Sequence, residues 1–186
     1  MLKKAIQQIR KWIDMGMNPV NISVNQSKIV FYHENYISEL KSLLEEYNVL
    51  GSYITLEVLE STVIEDIDMF NSILTEVKKL GFSVSLDDFG SGYSSLNVLS
   101  KLQIDELKID RIFLHTKSEV DNQRTKWILE SIIDIAKKSQ ILVVVEGVES
   151  KQDDLFIKNL GADVGQGYFY GRPLSISAFN DLIETK

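Results

Sequence analysis

The sequence predicts an α/β fold with a mainly parallel sheet, arranged as an incomplete TIM-like (β/α) barrel. Six short apolar runs alternate with amphipathic helical stretches, which is the pattern of parallel strands joined by crossover helices. A polar residue stands within or directly after each run, as at the functional end of an α/β barrel. Six strands do not close a barrel, and 186 residues are fewer than the roughly 200 of a complete one. The first strands of the barrel are therefore expected to be missing.

The N-terminal half of the chain carries three predicted helices and three predicted strands. Apolar residues recur at helical spacing over 2–15, 35–47 and 65–80. Asn35 is expected to cap the second of these helices, and Gly81 to end the third. The predicted strands cover 20–25, 52–59 and 82–87.

The C-terminal half continues the alternation. The apolar run ILVVV before Glu146 is typical of a parallel strand that is covered on both faces. The predicted strands are 104–109, 141–146 and 163–166. The predicted helices are a short one near 95–101, a long one over 122–138, and two more over 150–160 and 175–184. Residues 112–122 are polar and are predicted to form a loop.

The composition excludes several classes of protein and site. The chain has no cysteine, which excludes disulfides, thiolate metal sites and cysteine nucleophiles. Its net charge of -7 argues against a DNA or RNA polymer as partner. It has no run of about 18 apolar residues, and its amphipathic start is unlike a signal peptide. A cytoplasmic chain that does not insert into a membrane is expected.

The polar residues near the strand ends are the candidate site. They are Asn21, Glu57, Asp87, Asp88, Lys108, Glu146 and Gln166. Because parallel strands end at the same edge of a sheet, these side chains are expected to gather there. Carboxylate and amide oxygens suit Mg²⁺, Mn²⁺ or Ca²⁺, and this set is large enough for two adjacent ions. A single acid at a strand end is, however, more often a helix cap or part of a surface ion pair.

Asp87 and Asp88 are the strongest local signal. Neighbouring strand residues face opposite sides, so two adjacent acids converge only where the chain leaves the pleat. The glycines of GSGYSS permit that exit, and a cation between the two carboxylates would relieve their repulsion. Lys108 either pairs with an acid or orients or deprotonates a water. Gln166, between two glycines, lies either in a ligand site or in an ordinary turn.

Four other residues are weaker candidates. His33 and His115 are isolated and lack the spacing of a metal site, which favours surface or structural roles. Trp12 and Trp127 lie on amphipathic helices and are expected in the core or in helix–helix contacts.

Six segments of the chain together resemble one known family. They read NISVNQ, EVLES, DDFGSGYSSL, LKIDRIF, VEGVES and QGYFYGRP. In this order they closely resemble the EAL family of bacterial cyclic di-GMP phosphodiesterases. The resemblance implies a single, partial EAL domain over 1–186 with a modified α/β barrel. It also implies hydrolysis of cyclic di-GMP to linear pGpG with Mg²⁺ or Mn²⁺ at a two-metal site, where Ca²⁺ would be inhibitory.

The resemblance also implies roles for individual residues. The expected metal ligands are Asn21, Glu57, Asp87, Asp88 and Glu146. Lys108 is similar to the lysine that holds the nucleophilic water, and with Asp88 and Glu146 it forms the expected catalytic group. Glu60 resembles a glutamate that supports the loop over 88–95. The expected substrate-binding residues are Glu149, Gln166, Arg172 and Pro173.

The chain departs from the family pattern in two ways. Leu59 replaces the threonine of the E-x-T-E motif. The EAL motif, which supplies a metal-binding glutamate and a nearby arginine, has no counterpart. The first strands are missing along with it, which leaves the strands near 20–25 and 163–167 with open edges that invite pairing. The chain is therefore expected to self-associate, as in a homodimer, or to use another segment to cover the gap. Diguanylate cyclase or sensory modules commonly accompany this family.

Two other functions are compatible with parts of the sequence. A degenerate EAL domain could bind cyclic di-GMP or a protein partner without hydrolysis, and the missing glutamate favours this alternative. Another barrel enzyme could use the strand-end acids and a lysine to remove a proton beside a carbonyl. The combination of DDFGSGYSSL with the downstream motifs argues against the latter.

Overall fold

The computed structural model describes residues 1–60, 66–91, 96–114 and 119–184. Its strands form one sheet in which each strand is parallel to its neighbours, and their order follows the chain. They are β1 (Ile22–Gln26), β2 (Ile54–Leu59), β3 (Ser83–Phe89), β4 (Glu106–Ile109), β5 (Leu142–Glu146) and β6 (Val164–Gln166). Each overlaps a predicted strand, and the incomplete α/β barrel predicted from the sequence is confirmed.

Helices separate the strands in the described part of the chain. They are α1 (Leu2–Asp14), α2 (Lys28–Phe31), α3 (Tyr36–Tyr47), α4 (Ile67–Lys79), α5 (Leu96–Lys101), α6 (Glu119–Lys138), α7 (Lys151–Leu160) and α8 (Ile176–Glu184). Short 3-10 turns cover Gly51–Tyr53 and Arg111–Phe113. Among the described helices, none is long and apolar enough to cross a membrane.

The structure differs from three local expectations about helices. Helix α2 is additional to the predicted helices; Ser27 caps it by accepting a hydrogen bond from the Val30 amide. Helix α6 begins at Glu119, inside the predicted loop over 112–122. Asn35 occupies the cap position of α3, but its side chain makes no capping bond. Its ψ of 6° departs from the extended conformation that such a cap normally has.

The alternation of side chains gives the sheet two different faces. Leu56, Leu86 and Leu107 point to the face that the helices cover, and all three are fully buried. Helices α4 and α6 pack against β3 and β5 on this side. The opposite, inner face carries polar residues of the same strands, among them Glu57 and Lys108. The helix layer therefore buries the apolar face and leaves the polar face to form a site.

Two aspartates secure the amino ends of the strands. Asp105 accepts a hydrogen bond from the Val84 amide at 2.9 Å and also pairs with Lys78 at 2.8 Å. Asp163 accepts one from the Val143 amide at 2.9 Å. Each aspartate thus joins the start of one strand to the segment that leads into the next one. These acids stabilise the end of the sheet opposite to the candidate site.

The first and last helices lie next to each other. The Trp12 indole donates a hydrogen bond to Asn180 Oδ1 at 2.7 Å, and its ring centre lies 6.1 Å from that of Phe179. The prediction that Trp12 is buried is confirmed. The same prediction for Trp127 is wrong: it is 59% exposed, because other residues such as Leu129 and Ile133 form the buried side of α6.

Two further expectations concern the sheet edges and the histidines. Strands β1 and β6 each have one neighbour in the described sheet, and the expected self-association stays a prediction.

His33 is exposed near Glu39, in line with a surface role. His115 lies outside the described residues.

Candidate active site

Lys108 lies at the centre of a group of carboxylates on the inner face of the sheet. Its ammonium nitrogen is 2.7 Å from Glu146, 2.9 Å from Asp87 and 3.0 Å from Glu57. Strands β2, β3, β4 and β5 each contribute one of these four residues. The lysine side chain is only 7% exposed. Three acceptors thus match the three N–H donors of the ammonium, which compensates for its removal from water.

The surroundings of Lys108 keep it charged. Burial alone would lower the pKa of Lys108, but its hydrogen bonds to Glu146, Asp87 and Glu57 outweigh burial and raise the pKa above the ordinary value. A lysine with a raised pKa is a donor and not a base at neutral pH. The structure shows the pairing with acids that the sequence left open, and a charged lysine can also orient a water by donating a hydrogen bond to it.

Asp87 and Asp88 reach the same place because β3 is irregular there. Its pairing with β4 shifts register between Leu86 and Phe89, and Asp88 has a φ of 57°. This left-handed conformation is uncommon for residues other than glycine, although aspartate tolerates it better than most. The Asp88 amide donates to Asp87 Oδ1 at 3.1 Å. The predicted exit from the pleat therefore begins at Asp88 itself, before the glycines of the following loop.

Three of the carboxylates form a candidate cation site. Asp87, Asp88 and Glu146 each offer an oxygen, and these three oxygens lie within 4.8 Å of one another. An all-oxygen set of this kind suits Mg²⁺ or Mn²⁺. Burial raises the pKa of Asp88 and of Glu146, and the negative charge of Asp87 adds to both effects. A cation would relieve this repulsion.

The structure corrects the prediction for Asn21. This residue precedes β1 and lies at the amino end of the sheet, where its amide donates to the Ser52 carbonyl at 3.2 Å and accepts from Thr55 Oγ1 at 2.9 Å. It is not brought to the carboxylate group. Asn25 is the register partner of Glu57 instead. The signal for Asn25 was present in the sequence, because it directly follows Val24, the last apolar residue of its run.

Glu106 is a second residue that the sequence reasoning missed. It lies on the same row of the inner face as Ser85, which in turn is the register partner of Glu57. Burial raises the pKa of Glu106. The sequence offered little signal for it, because it stands at the start of β4 beside another acid, Asp105.

The residues expected on the substrate side lie on the loops that surround the carboxylates. Gln166 is the register partner of Glu146 and is brought next to the site. Glu149, Arg172 and Pro173 are exposed and follow β5 and β6 at the same end of the sheet. Glu60 is buried directly after β2. Its expected support of the loop over 88–95 involves residues 92–95, which lie outside the described part of the chain.

Comparison with known proteins decides the family. The model of the EAL domain family matches residues 1–173. The chain belongs to the EAL domain family. The fold and the motif-based resemblance agree with this assignment, and the six described strands form part of such a barrel.

Comparisons with two EAL proteins illustrate the similarity. The bifunctional diguanylate cyclase/cyclic di-GMP phosphodiesterase MucR of Pseudomonas aeruginosa is 35% identical over 173 residues, which are 93% of this chain and 25% of MucR. A solved structure of the MucR phosphodiesterase in complex with c-di-GMP superposes with a TM-score of 0.85 at 35% identity, covering 96% of this chain and 71% of that one. The EAL domain of Mycobacterium smegmatis DcpA gives a TM-score of 0.89 at 28% identity, with coverage of 99% and 82%.

The EAL chain studied here spans about a quarter of the length of the curated relatives it matches. Similarity to these proteins therefore establishes the family and the fold. It does not establish that this chain has the activity, substrate or partners of a whole relative.

Proposed function

We propose that this chain is a metal-dependent phosphodiesterase domain that hydrolyses cyclic di-GMP to linear pGpG. The observation that carries the proposal is the convergence of Glu57, Asp87 and Glu146 on Lys108 at the carboxyl ends of adjacent strands. Membership of the EAL family supports cyclic di-GMP as the substrate. A single EAL domain, a cytoplasmic location and a homodimer remain part of the same proposal.

The carboxylate group would hold the divalent ions. Asp87, Asp88 and Glu146 present oxygens close enough to share an ion, and Glu57 with Asn25 would complete the set on the side of β1 and β2. When bound, Mg²⁺ or Mn²⁺ supplies the positive charge that activates a water and stabilises the phosphoryl oxygens. The acids of this chain fix where that charge lies.

Lys108 would orient the attacking water. Binding of the ions would draw Glu146, Asp87 and Glu57 away from the ammonium, and the freed N–H donors would then hold the water oxygen toward the phosphorus. The water forms a new P–O bond, the bond from phosphorus to the 3′ oxygen breaks, and one proton of the water ends on that leaving oxygen. The product keeps a 5′ phosphate, which is pGpG. Gln166 at the end of β6 would contact the nucleotide, together with Glu149 and Arg172 from the surrounding loops.

Product analysis tests the proposal directly. The chain is incubated with cyclic di-GMP and Mn²⁺, and pGpG is measured by chromatography. Asp87→Asn and Glu57→Gln should each abolish its formation, since either removes an acid of the central group. Asp134→Asn, on the exposed side of α6, is the matched control and should retain activity. Turnover that is indifferent to both site substitutions would refute the proposal.

A second candidate function is binding of cyclic di-GMP without hydrolysis. Strand β1, at the open edge of the sheet, contributes Asn25 to the site but has no carboxylate. A weakly held metal on that side would limit turnover and leave nucleotide binding intact. Calorimetry with cyclic di-GMP and Ca²⁺, compared with the Mn²⁺ product assay, separates the two functions.

A further inference from the structure

Asp154 lies outside the carboxylate group and yet is shielded from water. It belongs to α7, the helix that follows β5, and it is only 7% exposed. The Tyr170 hydroxyl donates a hydrogen bond to Asp154 Oδ1 at 2.6 Å, and the Lys158 ammonium lies 2.9 Å from the same carboxylate. Two donors thus compensate for its shielding from water. The proposed reaction assigns no role to Asp154 or to Tyr170.

Tyr170 belongs to the stretch that continues from β6, residues 166–172, here called the β6 segment. Tyr170 is 49% exposed as a whole residue, whereas its hydroxyl contacts the shielded carboxylate of Asp154. Gly165 makes this path possible, because a Cβ atom at that position would collide with the Tyr170 hydroxyl. The tyrosine therefore lies across the end of β6 and connects the β6 segment to α7.

The β6 segment is also joined to the loop that follows β5. The Val148 amide donates to the Gln166 carbonyl at 3.0 Å, and the Phe169 amide donates to the Val148 carbonyl at 3.0 Å. Val148 comes two residues after Glu146, one of the acids around Lys108. The loop with Val148 thus holds one part of the β6 segment, and Asp154 holds another through Tyr170.

We infer that Asp154 is a positioning residue for substrate binding, which acts through Tyr170 to hold the β6 segment at the carboxyl end of the sheet. The inference rests on the proposed function for the identity of the substrate. The β6 segment carries Gln166, which adjoins Glu146, and Arg172, whose guanidinium lies 4.9 Å from the ring centre of Tyr168. A shift of this segment would move both polar groups relative to the carboxylates.

The protonation states of Asp154 and Tyr170 both suit the hydrogen bond between them. The hydrogen bonds from Tyr170 and Lys158 lower the pKa of Asp154, so the acceptor stays ionised. Burial and the bond to Asp154 raise the pKa of Tyr170 to about 12, so the donor keeps its proton. At neutral pH Asp154 therefore accepts and Tyr170 donates in this hydrogen bond.

Tyr170→Phe tests the hydrogen bond between Tyr170 and Asp154 because it keeps the ring and removes only the hydroxyl. Hydrogen exchange of the Phe169 amide should become about tenfold faster, since its hydrogen bond to Val148 then opens more often. Asp154→Leu should give the same change, and the double variant should be no worse than either single one. Trp12→Phe removes a side-chain hydrogen bond from the α1–α8 contact and is the control that leaves Phe169 exchange unchanged.

Ligand binding provides the readout that a purely structural contact would not affect. With Ca²⁺ present to prevent turnover, the Kd for cyclic di-GMP should rise about fivefold to tenfold in Tyr170→Phe, while the Kd for Mn²⁺ stays within about twofold. Faster exchange with an unchanged nucleotide Kd would overturn the positioning role, and so would unchanged exchange. Failure of the unmodified chain to bind cyclic di-GMP would instead overturn the proposed function, and the exchange data would still show whether Asp154 holds the segment.

Discussion

The ammonium of Lys108 lies 2.7 Å from Glu146 Oε1, although the register partner of Lys108 on β5 is Val144. The lysine therefore extends toward the carboxyl end of the sheet to reach an acid two residues further along the neighbouring strand. The same nitrogen also meets Asp87 and Glu57. The balance of charge at the centre of the site thus depends on this one side chain.

Lys108→Met should destabilise the protein strongly in the absence of metal. The substitution keeps most of the volume but leaves buried carboxylates without their cation, which costs about 3 kcal/mol in comparable buried pairs. Urea unfolding measures the change in the free energy of unfolding. Lys138→Met, which removes an exposed pair with Asp134, should change it by less than about 0.5 kcal/mol. Equal stability of the Lys108 variant and the parent would show that the buried carboxylates do not need this ammonium.

The two asparagines near β1 should differ in their effect on metal binding. Asn25→Ala removes an amide next to Glu57 and is expected to weaken Mn²⁺ binding by about tenfold, in the range seen for residues that support metal ligands. Asn21→Ala removes the contacts with Ser52 and Thr55 at the other end of the sheet and should leave Mn²⁺ binding unchanged. Calorimetric titration of both variants decides between them. A larger effect of Asn21→Ala would restore the assignment made from the sequence.

Mn²⁺ binding should strengthen as the pH rises. Burial raises the pKa of Asp88 and Glu146, so protons remain on these groups above the ordinary carboxyl pKa of about 4. The ion needs the deprotonated form, and binding therefore releases protons until the pH exceeds the raised pKa values. Titrations in buffers with different ionisation enthalpies count these protons, and Asp88→Asn should reduce their number. A Kd for Mn²⁺ that stays constant as the pH rises from about 4 to 7 would argue against raised pKa values of Asp88 and Glu146.

Gly51→Ala should reduce stability without affecting the site. A Cβ at Gly51 would collide with the Leu80 carbonyl oxygen and would lie 3.0 Å from the Phe82 nitrogen, both backbone atoms that cannot easily move. Overpacking of this kind costs about 2 kcal/mol. Gly171→Ala is the matched control, because no atom lies within 4 Å of the added carbon. Thermal unfolding of the two variants should differ clearly, and similar melting temperatures would contradict the close packing at Gly51.

The sequence predicted the parallel sheet and most of the central site because one local rule applies to both. A polar residue after an apolar run marks the carboxyl end of a parallel strand, and this rule correctly located Glu57, Asp87 and Glu146. It failed at β1, where two asparagines lie four positions apart and only the register with β2 shows which one adjoins Glu57.

Other features depend on contacts between distant segments and leave little local signal. Trp127 has the spacing of a buried helix residue, but residues such as Leu129 already fill the interface of α6. Glu106 gains its raised pKa from burial in the assembled sheet, which composition does not reveal. The bond between Asp154 and Tyr170 joins residues 16 positions apart, and although Tyr170 lies in the QGYFYGRP segment, nothing in that segment indicates Asp154 as its partner.

The contact between Trp12 and Asn180 joins positions 168 apart, whereas each strand pairs with the next one along the chain. Closing a loop of that length carries a large entropic penalty, so strand pairing between adjacent units has the kinetic advantage. The sheet and its acids can then assemble stepwise, and docking of the terminal helix against the first one completes the process. In a Trp127→Phe variant, the emission of Trp12 would report that final event, separately from the formation of the metal-binding end.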